Sequence, residues 1–483
     1  MPRSYIASFA SIVRSGAFSI SLVASVCQAQ NALPDPVLLA LRDTGFDAAN
    51  LSALVIPASG GNTKLAHLQS RPMSPASTMK LVTTLVALEE LGPTYRWTTR
   101  LLADTPITHG ELRGPLYLQG QGDPNFSWDS LRGMLRALRS QGLKRWYGDL
   151  ILDRSYFRPA RPDVGIPDFD DSPQAYYNVI PDALLLNGNL LTIGLSSDDQ
   201  KTALLSGPKL QGVSLRSKIT LDDNSCPEWD DDLIKASALQ SNKKSLQITV
   251  EGVFPRNCKS DTQLNLLDRN DYIGRFISAY WQEIGGTWKG NVKDDTSPLN
   301  ANALVTHRSE PLANIVRLIN KPSDNAMTRA VFMTLGEQRP VEARAGSSTQ
   351  AGALAIRSWF TRQGISDAGL VLDNGSGLSR IERISATQMA SLLKVGASSP
   401  WYAEFASSLP IVGIDGTMRK RLKNAVGIGR ARIKTGSLRD TAAIAGYVRD
   451  SHGQDWIVVA FINADDAKRS RPVLDALIEW VAQ

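Results

Sequence analysis

Histidine is scarce in this 483-residue chain: His67, His109, His307 and His452 stand far apart. None forms a His-x-x-x-His pair, which excludes the helix-borne zinc hydrolase pattern, and no metal or other cofactor is expected. Gly-x-Ser-x-Gly is also missing, and no histidine is placed for a Ser-His-Asp triad, which disfavours an α/β-hydrolase. Charge of one sign is lacking too. Lys and Arg number 53 against 47 Asp and Glu, a net of only +6. Nucleic-acid binders gather their cations in a patch or stripe; the near-cancelling charges here give no basis for a nucleic-acid partner. Cysteine is limited to three residues.

What is present is an ordinary globular composition, 42% hydrophobic and 21% charged, which argues against disorder, collagen and coiled coil. The length alone suggests two to four domains, at roughly 100–200 residues each. Residues 1–29 read as a secretory signal peptide. Arg3 and Arg14 supply positive charge, an apolar stretch runs from Ser15 to Val26, and Cys27-Gln28-Ala29 offers small residues at a cleavage site after about Ala29. A membrane anchor is the alternative, but a spanning helix needs about 20 apolar residues. Processing removes Cys27 and leaves Cys226 and Cys258. An even count in an exported chain points to one disulfide closing a local loop; two free thiols are the alternative.

Along the chain, Leu51–Pro57 and Lys64–Gln69 read as strands, and Ser74–Leu91 as a largely buried helix ended by Gly92-Pro93. Between about 93 and 305 short strand patterns alternate with turns, with helical patterns at Trp128–Ser140 and Asp271–Ile284 and a Pro- and Asp-rich loop over 160–175. Helical patterns then dominate, at Glu310–Ile319, Asn325–Gly336, Thr349–Gln363 and Ser385–Val395. Three strands come next, near 430–438, 442–448 and 456–462, and a last helix over Pro472–Val481. Helices packed on an antiparallel sheet, with strands from both chain ends, give an α/β fold class.

Three short motifs carry chemistry. Ser77-Thr-Met-Lys80 sets a hydroxyl and an amine at i and i+3, one helix face. A serine needs a base, and a desolvated lysine can be one. The spacing is weak evidence alone, since Ser206/Lys209, Ser241/Lys244 and Ser391/Lys394 share it. Ser323-Asp-Asn325 opens a helix, and Ser323 read alone would be its cap. Lys434-Thr-Gly436 lies in a strand pattern, where a glycine often marks close approach by a ligand. In this order the three make the signature of serine penicillin-recognising enzymes.

Spacing narrows the resemblance. Ser323 stands 246 residues after Ser77, and Lys434 another 111 later, so an insertion falls between the first two motifs. With Pro75–Leu81, Gly120-Gln-Gly-Asp-Pro124, Gly148–Asp153 and Asp373-Asn-Gly-Ser-Gly-Leu-Ser-Arg380, the chain resembles the low-molecular-mass class C penicillin-binding proteins. These are the D-alanyl-D-alanine carboxypeptidase/endopeptidase family of penicillin-binding protein 4. The resemblance implies a serine β-lactamase-like, penicillin-recognising domain interrupted by two nested β-rich modules. Its outer segments would be 30–92 and 306–483, the middle module 93–183 and 263–305, and the innermost 184–262, with both mature cysteines.

The same resemblance implies the chemistry. Ser77 would attack a peptidoglycan stem peptide ending in D-Ala-D-Ala, Lys80 would take its proton, and Ser323, Asn325 and Lys434 would complete the catalytic set. Thr435, Gly436 and Ser437 would line the substrate. Asp171 and Tyr176 would meet the stem-peptide diamino acid, with Arg380 and Arg439 bordering the cleft. β-Lactams would acylate Ser77. The implied place is the periplasm, with membrane or wall association and oligomeric state left open. The competing readings are a β-lactamase-like hydrolase and a catalytically weak wall-binding module.

Overall fold

The computed structural model describes residues 32–226, 234–240, 245–341, 344 and 346–483. The signal-peptide expectation over residues 1–29 and the Ser241/Lys244 pair lie outside these residues.

The two ends of the chain meet in one five-stranded antiparallel sheet. Its order is Ala431–Leu438, Thr441–Arg449, Asp455–Asn463, Leu51–Pro57 and Leu65–His67. Side chains alternate across a strand, and here both faces are covered. Ala443, Ala445, Tyr447, Ile457, Val459 and Phe461 face one core, while Ala442, Ile444, Val448, Val458, Ala460 and Ile462 face another. Two-sided burial explains why these strands read as unbroken apolar runs rather than alternating ones. The second face is closed by the terminal helices Asp35–Thr44 and Arg471–Ala482. The first of these was not apparent from the sequence pattern.

The other face carries the helix Lys80–Leu91, buried without a break from Lys80 through Leu88 and largely apolar there, as a helix inside a core must be. It packs against Leu312–Asn320, Asn325–Glu337, Ser348–Arg362 and Ala386–Ser398. These four match the expected helices to within a few residues. One difference concerns the start of the first helix. Ala76–Met79 is a 3₁₀ turn, and the α-helix begins at Lys80. In a 3₁₀ turn residues i and i+3 eclipse, which brings Ser77 and Lys80 closer in line than α-helical spacing would.

The region between is β-rich, as expected. A mixed five-stranded sheet runs Val292–Asp294, Leu150–Asp153, Leu116–Gly120, Thr98–Ala103 and Asn302–Arg308, beside a small parallel sheet of Thr287–Lys289, Arg145–Tyr147 and Glu111–Arg113. Two three-stranded sheets lie over 191–264. Cys226 and Cys258 form a disulfide across 32 residues, so the free-thiol alternative falls. The 160–175 segment holds no helix or strand beyond an isolated bridge at Ala175. Just beyond this segment the chain is anchored by a buried ion cluster, in which Asp182 accepts from Arg154 at 2.9 Å and from Arg269 at 2.7 Å. Past the strand Leu116–Gly120 the Gly-Asp-Pro of 122–124 leads into a turn: Gly122 has φ +83° and a Cβ there would sit 2.5 Å from the Phe157 ring. One local feature was hidden by the overall charge balance, the cationic run Arg419-Lys-Arg-Leu-Lys423, of which Arg421 pairs with Asp475 at 2.6 Å.

Candidate active site

The three motifs converge. Ser77, at the 3₁₀ turn, is partly exposed, whereas Lys80 one turn on is fully buried. The Lys80 Nζ lies 3.0 Å from Ser77 Oγ, 2.6 Å from Asn325 Oδ1 and 2.6 Å from the Ser376 carbonyl oxygen. Three oxygens surround one nitrogen. A neutral amine has two N–H bonds and one lone pair, so it can donate to the amide and carbonyl oxygens while accepting from the serine hydroxyl. Burial drives Lys80 down from the ordinary lysine range to about 7, against the opposing pull of the Asp324 and Glu382 carboxyls. Among the described residues exposure separates this pair from the two other Ser-x-x-Lys spacings, since Lys209 and Lys394 are exposed.

Ser323 does not cap the following helix. Asp324 does, accepting the Met327 N–H at 2.7 Å. Ser323 instead adopts φ +71°, a conformation costly for a non-glycine residue and often found at functional sites. Its hydroxyl accepts from Lys434 Nζ at 2.8 Å. Lys434 also donates to the Thr435 carbonyl at 2.9 Å. Burial, and then the charge of Lys80, hold Lys434 well below the ordinary lysine range. Asn325 works in two directions: its oxygen takes the Lys80 bond and its Nδ2 donates to the Tyr177 carbonyl at 2.8 Å.

The strand Ala431–Leu438 runs beside the Ser77 turn, and Gly436 is the point of contact. A Cβ on Gly436 would lie 2.6 Å from the Pro75 carbonyl oxygen and 3.0 Å from the Ser77 nitrogen. The close approach that a strand glycine signals is therefore made by the chain's own serine turn. Beyond it Ser437 is exposed, and Thr435 is half-buried with its hydroxyl on Thr417 at 2.8 Å.

The outlying candidates spread around this centre. Arg380 is exposed, stacks over Phe169 at 4.8 Å and donates to the Phe169 carbonyl at 3.0 Å. It lines a cavity of about 710 Å³ shared with Phe169, Asn178, Arg329 and Asp373. Asp171 and Tyr176 are exposed on the same 169–178 segment, whose Tyr177 carbonyl meets Asn325. Arg439 is exposed just past the Lys-Thr-Gly strand. Among the described residues no cluster of His, Cys, Asp or Glu could hold a metal ion.

Two groups at the site are given no role by the sequence. One is the Ser376 carbonyl, and the other is Glu382, buried beneath the Asp373–Arg380 loop. The Gly-Ser-Gly pattern of that loop has a steric reason. Gly377, at φ +81°, leaves no room for a Cβ, which would fall 1.8 Å from the Ala76 carbonyl oxygen.

Residues 38–483 match the D-Ala-D-Ala carboxypeptidase 3 (S13) family. The chain is 27% identical over 426 residues to a D-alanyl-D-alanine carboxypeptidase of Actinomadura sp. (strain R39), covering 86% of this chain and 78% of that one. It is also 27% identical over 406 residues to D-alanyl-D-alanine carboxypeptidase DacB of Haemophilus influenzae, covering 81% and 80%. The crystal structure of penicillin-binding protein 4 from Haemophilus influenzae superposes with a TM-score of 0.71 at 24% identity, over 89% of this chain and 96% of that one. The α/β fold expected from the sequence is thus shared with that structure.

Proposed function

The chain belongs to the D-Ala-D-Ala carboxypeptidase 3 (S13) family, and from that premise we propose which of its residues perform the reaction and how. It is a serine peptidase, a D-Ala-D-Ala carboxypeptidase of the penicillin-binding protein 4 type. Ser77 is the nucleophile. Its Oγ attacks the carbonyl of the penultimate D-Ala while its proton passes to neutral Lys80. The developing oxyanion is held by the N–H groups of Ser77 and Ser437; one such donor is typically worth about 2.7–4 kcal/mol. Ser323, hydrogen-bonded to Lys434, relays a proton to the departing amine and is reprotonated at the expense of the proton that Lys80 took from Ser77. The C–N bond breaks, D-Ala leaves, and an ester remains on Ser77. Water then reverses the sequence and frees the shortened peptide.

The observation that carries this reading is the 3.0 Å contact between Lys80 Nζ and Ser77 Oγ, made by a lysine held near 7. The remaining roles rest on charge. Burial and mutual repulsion disfavour a proton on both lysines at once. The terminal carboxylate of the substrate, bound at Lys434 and Thr435, favours the proton on Lys434 and leaves Lys80 as the base. Asn325 orients Lys80 and the substrate amide, and Gly436 lets the strand run against the Ser77 turn.

Further assignments rest on the same premise. Asp171, Tyr176, Arg380 and Arg439 would read the stem-peptide side chain, Arg380 and the 169–178 segment meeting at the cavity edge. The same site would cut D-Ala cross-bridges as an endopeptidase. β-Lactams would acylate Ser77; a β-lactam complex is known for the Haemophilus influenzae relative. A β-lactamase reading predicts fast deacylation, and the buried Glu382 is engaged with main-chain N–H groups rather than free to activate water. The chain divides into a penicillin-recognising domain and two nested modules, a division supported by the pairing of Thr98–Ala103 with Asn302–Arg308 across the base of the insertion. Export to the periplasm, with cleavage after about Ala29, is supported by the Cys226–Cys258 disulfide, since such bonds persist in oxidising compartments. Among the described residues no helix is long and apolar enough to cross a membrane.

Mass spectrometry of purified cross-linked wall fragments after incubation tests the reading. Loss of terminal D-Ala is expected, with cross-bridge cleavage scored separately. Fragments left unchanged by the wild-type chain would overturn it.

A further inference from the structure

The proposed base is buried, and something must hold its acceptors in place. Asn325 is fixed by a helix. The Ser376 carbonyl belongs to a loop with no regular hydrogen-bond ladder, yet it sits 2.6 Å from Lys80 Nζ. Beneath that loop Glu382 is 1% exposed. Its Oε1 accepts the N–H groups of Asp373 at 3.2 Å, Asn374 at 3.0 Å and Gly375 at 2.7 Å, and its Oε2 accepts the Gly377 N–H at 2.8 Å. Four donors converging on two oxygens suit a carboxylate, and these bonds oppose the burial that pushes the Glu382 carboxyl up from its ordinary range. The N–H groups bonded to Glu382 flank Ser376 on both sides. The carbonyl that faces Lys80 is therefore fixed by a clamp on its neighbours. Thr83, on the Lys80 helix, adds a bond to the Gly375 carbonyl at 2.7 Å.

We propose that Glu382 is a positioning residue of the reaction: by gathering the main-chain N–H groups of residues 373–377 it aims the Ser376 carbonyl at Lys80 and sets the environment in which Lys80 exchanges its proton with Ser77. The inference rests on the assignment of Lys80 as the base. It adds a role to a residue outside all three motifs, which touches no substrate and acts through the loop.

The charge environment supports it. Lys80 is faced by the carboxyls of Asp324 and Glu382 and by the cations Arg329 and Lys434. Glu382 is faced in turn by Asp373 and Arg329. Neutralising Glu382 removes one of two acids that favour the ammonium form, and freeing the loop removes one of its acceptors. Both changes lower the Lys80 pKa. A base works only when deprotonated, so the acidic limb of the rate profile should move to lower pH.

The test is the second-order acylation of the full chain by a fluorescent penicillin, followed from about pH 5.5 to about pH 9.5 for wild type, Glu382→Gln and Glu382→Asp. For Glu382→Gln the plateau should fall at least about tenfold and the acidic limb should move about one unit lower. Glu382→Asp keeps the charge but shortens the reach; its plateau should fall while its limb moves lower by less than that of Glu382→Gln. A Glu382→Gln enzyme with an unmoved limb, whatever its plateau, overturns the proposal. Should that variant fail to fold, amide exchange on the wild-type chain decides. Asn374, Gly375 and Gly377 should exchange at least about a hundredfold slower than exposed loop amides, and exchange at free-peptide rates would overturn the clamp. A wild-type chain that reacts with no penicillin would instead sink the proposed function, and the amide exchange would still decide whether Glu382 orders the loop.

Discussion

Lys434 Nζ donates to Ser323 Oγ at 2.8 Å, a second serine–lysine contact beside the 3.0 Å contact of Lys80 with Ser77. The site thus contains two serine–lysine pairs, both lysines fully buried. The hydrogen bonds of both lysines go to hydroxyl, amide and main-chain oxygens rather than to carboxylates. A pocket of this kind discriminates between an anion and a neutral group at the substrate terminus, because an incoming carboxylate stabilises the ammonium form of a buried lysine.

The pH dependence of acylation rests on that arrangement. Lys80 stands near 7, so it is mostly protonated and inactive as a base one unit below that value and largely neutral one unit above it. The second-order rate of acylation by a β-lactam should rise about tenfold per unit below about pH 7 and level off above it. Stopped-flow traces in a constant-ionic-strength buffer check this.

Lys80→Met should abolish acylation and change the pH dependence of stability. The sign is set by the depressed pKa. Between about 7 and the ordinary 10.5 the unfolded chain binds a proton that the folded chain does not, so wild-type stability rises with pH in that window. Below it the folded chain carries an ammonium in its interior. The variant lacks this contribution. Measured by urea unfolding, the variant should gain on wild type by about 2 kcal/mol on going from about pH 9 to about pH 7.

Gly436→Ala has nowhere to place its methyl group. The Pro75 carbonyl and Ser77 nitrogen would be 2.6 and 3.0 Å away, both on main chain that cannot swing aside. The serine turn must shift, and with it the Ser77 N–H. Acylation should fall about a hundredfold or more, with stability lowered by about 1–3 kcal/mol. Thermal unfolding and penicillin labelling of one preparation separate the two effects.

Replacing both Cys226 and Cys258 by Ala should affect stability alone. The bridge spans 32 residues within the β-rich insertion, and loops of that size lose about 3–4 kcal/mol of unfolded-state restriction when opened. The variant should lose midpoint stability while its acylation rate at about 25 °C stays within about twofold of wild type.

Much of this architecture is legible in the sequence. The three motifs come together as their order implied, and the helix Trp128–Ser140 begins and ends where its apolar spacing placed it. What stayed hidden has a physical pattern. Ser376 lies within the Asp373–Arg380 motif, but it contributes a carbonyl, which every residue type has, so its letter does not show that role. Glu382 reads as one acid among 47 Asp and Glu, and only the fold makes it buried. Ser323 looked like a helix cap because serine usually is one in that setting; Asp324 took the cap and released the hydroxyl. The strand Thr98–Ala103 lacks a clean alternation and is fixed by its partners Leu116–Gly120 and Asn302–Arg308, the latter far along the chain.

The central claim is that Ser77, activated by Lys80, forms the acyl-enzyme. The most direct measurement is intact-mass and peptide-map analysis of the chain after reaction with benzylpenicillin. One penicilloyl group should be added, on the peptide containing Ser77, and Ser77→Ala should add none while keeping its fold by circular dichroism. An adduct on any other residue, or persistent labelling of Ser77→Ala, would contradict the account.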